Sequence, residues 1–137
     1  MSDALDPRDR FTGAADDYAR FRPDYPDALV RACVDYAGLE EGGRVVDIGV
    51  GTGISSRRFA RHGFDVVGVE PNEAMVSKAR EAGQASYVVG DAMRTGLPDA
   101  CADLITCAQA LHWFDLESCA GEWRRVLGPH GCCAAFW

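Results

Sequence analysis

Short apolar runs bounded by glycine or turn residues alternate along this chain with longer segments whose apolar positions recur at helical spacing. The short runs predict buried strands over 44–48, 64–69, 86–89, 102–107 and 132–137. The longer segments predict helices over 26–37, 54–62, 71–82 and 115–127, preceded by an irregular helix over 11–21. The turn residues 128–131 should stop the last helix before the fifth strand begins. This alternation indicates an α/β fold, a Rossmann-like doubly wound parallel sheet of about five strands with helices on both faces.

A glycine-rich loop, Gly49-Val50-Gly51-Thr52-Gly53, joins the first predicted strand to a helix, and Glu70 closes the next strand. Glycines at such a turn permit positive φ and let a ligand approach the backbone, and an acid at the second strand's end suits a ribose diol. Nicotinamide and flavin domains share this plan, but they have glycine or alanine where this chain has Ile54. Asp47, just before the first glycine, suits a ligand that carries positive charge. A sharp turn without a ligand is the remaining alternative.

Composition limits the classes of partner. The chain has 137 residues, enough for one domain, and a formal net charge of -7, which disfavours nucleic acid and anionic membranes as partners. No apolar run approaches the roughly 20 residues of a membrane helix, and no secretory signal is visible, so we expect a cytoplasmic protein. The six cysteines lack Cys-x-x-Cys spacing and lie mostly in apolar stretches, which favours free thiols over disulfides or a metal site.

Five motifs carry a family resemblance, and they follow one another along the chain in the order that the family has. They are Asp47–Gly53, Glu70–Met75, Gly90–Ala92, the arm Tyr18…Arg22–Pro26 and the segment Gln109–Phe114. Together they resemble class I S-adenosylmethionine-dependent methyltransferases, and among these the type 11 group that includes trans-aconitate methyltransferase-like proteins. Val50 departs mildly from the cysteine or alanine that the group commonly has.

The resemblance implies S-adenosylmethionine as cofactor and assigns roles to the motif residues. The glycine loop would wrap the methionine part, whose amino group Asp47 helps to hold, and Glu70 would bind the ribose. Asp91 would accept from the adenine amino group, and the Ala92 N–H would meet a ring nitrogen. The cofactor-binding residues implied are Asp47, Gly49, Gly51, Gly53, Glu70, Pro71, Met75, Asp91, Ala92, Gln109, Tyr18 and Arg22. Turn formation by Asp91 and core packing of Met75 are open alternatives.

The predicted catalytic residues are His112 and Trp113, at the carboxyl end of the fourth strand. The Trp113 ring could favour a sulfonium cation, and His112 could accept a proton, although both could simply pack the loop. The Asn/Asp-Pro-Pro-Tyr motif of amino-directed nucleic-acid methyltransferases is absent. We therefore expect a methyltransferase acting on a small molecule, with a carboxylic acid as one candidate that Arg22 could hold. A cofactor-binding module or fragment without independent catalysis is the alternative, and a nicotinamide-dependent oxidoreductase, disfavoured by the glycine spacing, is the third hypothesis.

The resemblance also divides the chain. Residues 1–25 would form an arm over the cofactor site, and residues 26–137 would form the S-adenosylmethionine-binding domain. The family sheet normally has seven strands, so the domain is expected to be incomplete, ending before the last two. The fifth strand would then expose an apolar edge, which favours a homodimer through that strand.

Overall fold

The computed structural model describes residues 25–108 and 114–136, which form an α/β fold of four helices and five strands. The predicted arm up to residue 24, with its helix over 11–21, lies outside the described residues. The helices are α1 (Asp27–Ala37), α2 (Ile54–Arg61), α3 (Glu73–Ala82) and α4 (Leu116–Val126). The strands are β1 (Arg44–Ile48), β2 (Asp65–Glu70), β3 (Ser86–Val89), β4 (Ala102–Ala108) and β5 (Leu127–Phe136).

The five strands form one parallel sheet in the order β3-β2-β1-β4-β5. The chain builds outward from β1 to β3, then returns to place β4 on the other side of β1. The carboxyl ends of β1 and β4 therefore flank the point where the strand order reverses, which is where ligands bind in open α/β sheets. The predicted sheet is confirmed.

The helices cover both faces of the sheet, as predicted. On one face, Cys33 of α1 and Phe59 of α2 pack with the strand residues Val45 and Leu104. On the same face, a smaller cluster joins α3 to β3 through residues Val50, Val76, Ala79 and Tyr87. On the opposite face, α4 packs on β1 and β4 through residues Val46, Ile105, Cys119, Trp123 and Val126. Alternate strand residues thus face opposite cores, which explains why the strands read as unbroken apolar runs.

The predicted start of the fifth strand is wrong, since β5 begins at Leu127 and not at residue 132. Ala102 pairs with Leu127, whereas Leu104 pairs with Cys132, so residues 128–131 are taken up as an irregularity of the ladder. Their glycines and proline were interpreted as a turn between elements, but the backbone uses them inside the strand, where extra residues bulge. Within the described residues, the other predicted boundaries agree with the structure to within two residues.

Aromatic packing fixes the end of β5 against the helical layer. The Phe136 ring lies 5.2 Å from the Tyr25 ring in a T-shaped contact and 6.5 Å from the Phe59 ring.

All six cysteines lie in described segments and are free thiols. Within residues 25–108 and 114–136, no helix is long and apolar enough to cross a bilayer.

Candidate functional site at the carboxyl edge of the sheet

The glycine loop leaves β1 at the sheet's carboxyl edge and is tied to the end of β2. The Gly49 N–H donates to the Val69 carbonyl at 2.8 Å, and the Gly51 N–H donates to Glu70 Oε1 at 3.0 Å. Gly51 has a φ of 57° and Gly53 a φ of 84°, in the region where L side chains are strained. The loop shape therefore depends on glycine, as the sequence predicted.

Glu70 places a buried carboxylate beside that loop. Its Oε1 accepts from Gly51, and its Oε2 accepts from the Asn72 N–H at 2.7 Å. Burial raises the pKa of Glu70, while these two backbone hydrogen bonds act in the opposite direction. A carboxylate offers about four acceptor positions, so each oxygen can accept a further hydrogen bond. The arrangement suits a vicinal diol.

Asp47 is fully buried and surrounded by hydroxyl groups. Its Oδ2 accepts from Ser55 Oγ at 2.5 Å and from Ser56 Oγ at 2.7 Å, and its Oδ1 accepts from Thr106 Oγ1 at 2.9 Å. These bonds connect the end of β1 to the start of α2 and to β4. Asp47 thus supports the glycine loop from below, and its predicted contact with the cofactor's amino group stays a prediction.

Asp91 and Ala92 follow β3 and lie next to the end of β2, because the Gly90 N–H donates to the Glu70 carbonyl at 3.2 Å. Asp91 Oδ1 accepts from the N–H groups of Met93 at 3.0 Å and Arg94 at 2.9 Å, so Asp91 forms a turn. A turn and a ligand contact are compatible roles for a carboxylate, and the adenine contact stays a prediction.

The segment after Glu70 starts α3. Asn72 is the N-cap of this helix, and its side chain accepts from the Met75 N–H at 3.1 Å, which confirms the predicted cap. Met75 is only 1% exposed and belongs to the core, which favours the packing alternative for its side chain. Pro71, between Glu70 and Asn72 in the chain, is half-buried.

Five predicted site residues lie outside the described residues, namely Tyr18, Arg22, Gln109, His112 and Trp113. Ala108, the last residue of β4, and Phe114 flank the segment that holds three of them. Across the described ranges, no group of three or more His, Cys, Asp or Glu side chains could hold a metal ion.

Two buried hydroxyls near the loop were missed by the sequence analysis. Thr52 Oγ1 has no hydrogen-bond partner among the described residues, and Tyr87 Oη lies against the loop. The Tyr87 ring occupies the space where a side chain of Gly53 would stand: a Cβ there would lie 2.8 Å from Cζ. Gly53 is therefore required by packing, and its predicted cofactor contact stays a prediction. Pattern analysis gave no signal for this contact, since it joins the loop to β3.

A comparison with family models identifies the chain. Residues 46–135 match the type 11 model, described as a methyltransferase domain. The chain belongs to this methyltransferase family. The matched range contains the glycine loop, Glu70 and the Asp91–Ala92 turn. No comparison tests the narrower resemblance to trans-aconitate methyltransferases, which stays a prediction.

Curated relatives carry methyltransferase names in several kingdoms. An uncharacterized methyltransferase of Mycobacterium tuberculosis is 35% identical over 128 residues, which cover 93% of this chain and 51% of the relative. A malonyl-[acyl-carrier protein] O-methyltransferase of Pectobacterium atrosepticum is 31% identical over 127 residues, covering 91% of this chain and 49% of the relative. The chain thus spans about half the length of these relatives.

Solved structures agree with the family match. A protein from Anaeromyxobacter dehalogenans, described as a type II methyltransferase, has a TM-score of 0.74 and 40% identity. The match covers 84% of this chain and 48% of that protein. The predicted class I fold is confirmed by this neighbour together with the strand order.

The family and the fold imply S-adenosylmethionine as the cofactor, and the described residues fit it. The positive-φ glycines let a ligand approach the loop backbone. Glu70 offers acceptor positions for a ribose diol, and the Asp91–Ala92 turn stands beside it at the same edge. In addition, the Thr52 hydroxyl in the loop has its hydrogen-bonding capacity unused by the described residues.

Proposed function

We propose that the protein to which this chain belongs is an S-adenosylmethionine-dependent methyltransferase that acts on a small molecule. The observation that carries the proposal is the pair formed by Glu70 and the glycine loop. The Glu70 carboxylate is buried at the end of β2 and accepts a hydrogen bond from the Gly51 N–H. This bond fixes the position of the carboxylate, which can accept hydrogen bonds from a ribose diol, relative to the backbone of the glycine loop.

The cofactor, when bound, supplies a methyl group on a sulfonium centre with a good leaving group. The protein's contribution is then mainly to position the two reactants, which can lower a barrier by roughly 7–11 kcal/mol. Glu70 would hold the ribose, the glycine loop the methionine part and the Asp91–Ala92 turn the adenine. His112 and Trp113 remain the proposed residues on the acceptor side, with Arg22 as the proposed partner of a carboxylate.

The small-molecule acceptor is supported by the charge of the chain and by the name of one relative, a sterol methyltransferase. The chain's net charge of -7 opposes binding to a phosphate backbone. Two relatives with named acceptors are the malonyl-[acyl-carrier protein] O-methyltransferase and a sterol 24-C-methyltransferase of Eremothecium gossypii, which is 38% identical over 109 residues. The first name favours, within this proposal, an acceptor that presents a carboxyl group.

The nicotinamide alternative is disfavoured by the position of the third glycine. In this chain Ile54 begins α2 and belongs to the core beneath the loop. Glycine or alanine at that place would let a pyrophosphate and the helix approach more closely. Here the Ile54 side chain occupies that space instead.

Titration calorimetry with S-adenosylhomocysteine and with NAD tests the proposal. We expect S-adenosylhomocysteine to bind and NAD to show no binding at the same concentrations. Binding of NAD alone would overturn the proposal. The alternative of a binding module without catalysis is tested separately, by transfer of a labelled methyl group from S-adenosylmethionine to a panel of small carboxylic acids. Cofactor binding without transfer to any acceptor, in the protein at its natural length, would favour the module.

A further inference from the structure

Helix α4 is hydrogen-bonded at several points to the loop between β3 and β4, residues 90–101. The indole Nε1–H of Trp123 donates to the Ala92 carbonyl at 2.9 Å. Glu122 Oε2 accepts from both the N–H of Thr95 at 2.8 Å and its hydroxyl at 2.7 Å. The Ala100 N–H donates to the Arg125 carbonyl at 2.8 Å. The loop is therefore bonded to the C-terminal part of α4 at Ala92, Thr95 and Ala100.

The bond of Trp123 to Ala92 is buried, and the bonds of Glu122 to Thr95 are partly buried. Trp123 is 9% exposed, Ala92 5% and Thr95 2%. Arg125 holds Glu122 in place, with Nε 2.7 Å from Oε1 and Nη2 3.0 Å from Oε2. When one partner of a buried hydrogen bond is removed, the group left behind is buried without a partner, and its desolvation free energy is no longer compensated. The loop cannot leave α4 without losing several such bonds at once.

The bond from Trp123 has a consequence for Asp91. The Ala92 carbonyl belongs to the peptide unit whose N–H is that of Met93, and a peptide unit is planar. That N–H donates to Asp91 Oδ1 at 3.0 Å. The indole thus fixes the plane of the peptide, and the peptide fixes the direction of the Asp91 carboxylate. Glu122 holds the other end of the same turn through Thr95, next to Arg94, whose N–H also donates to Asp91 Oδ1 at 2.9 Å.

We propose that Trp123 and Glu122 are positioning residues for adenine recognition, acting through the turn that carries Asp91 and Ala92. The proposal rests on the proposed function, because the turn stands at the cofactor edge beside Glu70. Neither residue touches the ligand. Their contribution is to keep the Asp91 carboxylate aimed before the ligand arrives, which removes an ordering cost from binding. Discrimination for the adenine amino group is then expected to depend on α4.

The test compares two ligands by calorimetry, S-adenosylhomocysteine and its analogue with unsubstituted purine in place of adenine, which lacks only the 6-amino group. We expect the wild-type protein to prefer the adenosyl compound. Trp123→Phe keeps an aromatic ring but removes the N–H, and it should reduce this preference about three- to tenfold, the size of one hydrogen bond. Glu122→Gln should reduce it in the same direction. Thermal unfolding of each variant reports on its folding independently of the ligands.

Asp103→Asn is the matched control, because Asp103 forms an ion pair of 3.1 Å with Arg44 at the amino end of the strands. It should leave the preference unchanged. If the folded variants at positions 122 and 123 weaken both ligands equally, or neither, the inference is overturned while the proposed function stands. If Trp123→Phe fails to fold, Glu122→Gln decides alone. If the wild-type protein binds neither ligand, the proposed function fails and this inference fails with it.

Discussion

Thr106 and Asp47 face each other across the β1–β4 pair, and the Thr106 hydroxyl donates to Asp47 Oδ1 at 2.9 Å. Both residues are fully buried. The two strands are those that flank the reversal of strand order. A charge buried away from water needs compensating hydrogen bonds, and Thr106, Ser55 and Ser56 supply them here. One polar residue in the apolar run of β4 is thus explained by an acid in the neighbouring strand.

Replacing Thr106 with valine should therefore destabilise the protein although the side-chain shape is kept. We expect a loss of about 1.5–3 kcal/mol in the free energy of unfolding, the range for a hydrogen bond to a charged group. Urea denaturation measures it. Thr106→Ser is the control, because it retains the hydroxyl and loses only a methyl group. Equal stability of the valine variant and the wild type would contradict the assignment.

Replacing Glu70 with alanine should weaken binding of S-adenosylhomocysteine. The loss of hydrogen bonds to a charged acceptor predicts a rise in Kd on the order of ten- to a hundredfold. Calorimetry measures it, and Glu73→Ala, an exposed acid at the start of α3, serves as control. The variant should also unfold more readily, since the N–H groups of Gly51 and Asn72 lose their acceptor. A folded variant with wild-type affinity would contradict the assignment of Glu70 to the cofactor site.

Two glycine substitutions should differ in cost although both residues have positive φ. Gly63, with a φ of 89°, has open space where a Cβ would stand, so Gly63→Ala should lose only the backbone strain of about 1–2 kcal/mol. Gly53→Ala adds a clash with the Tyr87 ring, which we expect to add about 1–3 kcal/mol. Thermal or urea unfolding compares them. Tyr87→Phe removes the nearest atom and should recover part of the difference; no recovery would mean that the ring is not the obstacle.

The Glu122 carboxylate should make stability depend on acid pH. Its hydrogen bonds, foremost from Arg125 and also from Thr95, lower its pKa to about 2 from the ordinary value of 4.5. A lowered pKa in the folded state means that the stabilisation is complete above pH 4.5 and is lost as the pH falls toward 2. Between pH 6 and pH 2, the free energy of unfolding should therefore fall more steeply for the wild-type protein than for Glu122→Gln. Parallel curves would contradict this prediction.

The outer edge of β5 should promote association of the chain with a second copy. β5 ends the sheet in the part of the chain that the structure describes, and Cys133 and Ala135 on it are exposed. An unpaired strand edge is a template for pairing. We expect dimers or larger species of the 137-residue chain in light scattering after gel filtration. Ala135→Lys should shift them toward monomers, whereas Ser77→Lys, at an exposed position of α3, should not. A monomeric wild-type chain would contradict the prediction.

Much of the fold was predictable because its signals are local. The strands buried on both faces show as apolar runs, and Gly38, Gly53 and Asn72 mark helix ends through their own conformations. The start of β5 was not predictable, because residues 128–131 have turn chemistry whether they end a strand or bulge within it.

The site divides in the same way. The position of Glu70 beside the glycine loop followed from strand ends meeting at one edge of a parallel sheet. The contacts of Thr106 with Asp47, Tyr87 with Gly53 and Trp123 with Ala92 join distant parts of the chain. Their only sequence signals were a polar residue in an apolar strand and an aromatic residue on a helix, and neither signal names a partner.

The glycine loop is attached to β2 through Val69 and Glu70 and packed against Tyr87, all within the protein itself. A ligand entering there meets a backbone that already has its final shape. Rearrangement of this loop is then not a step that ligand binding has to wait for.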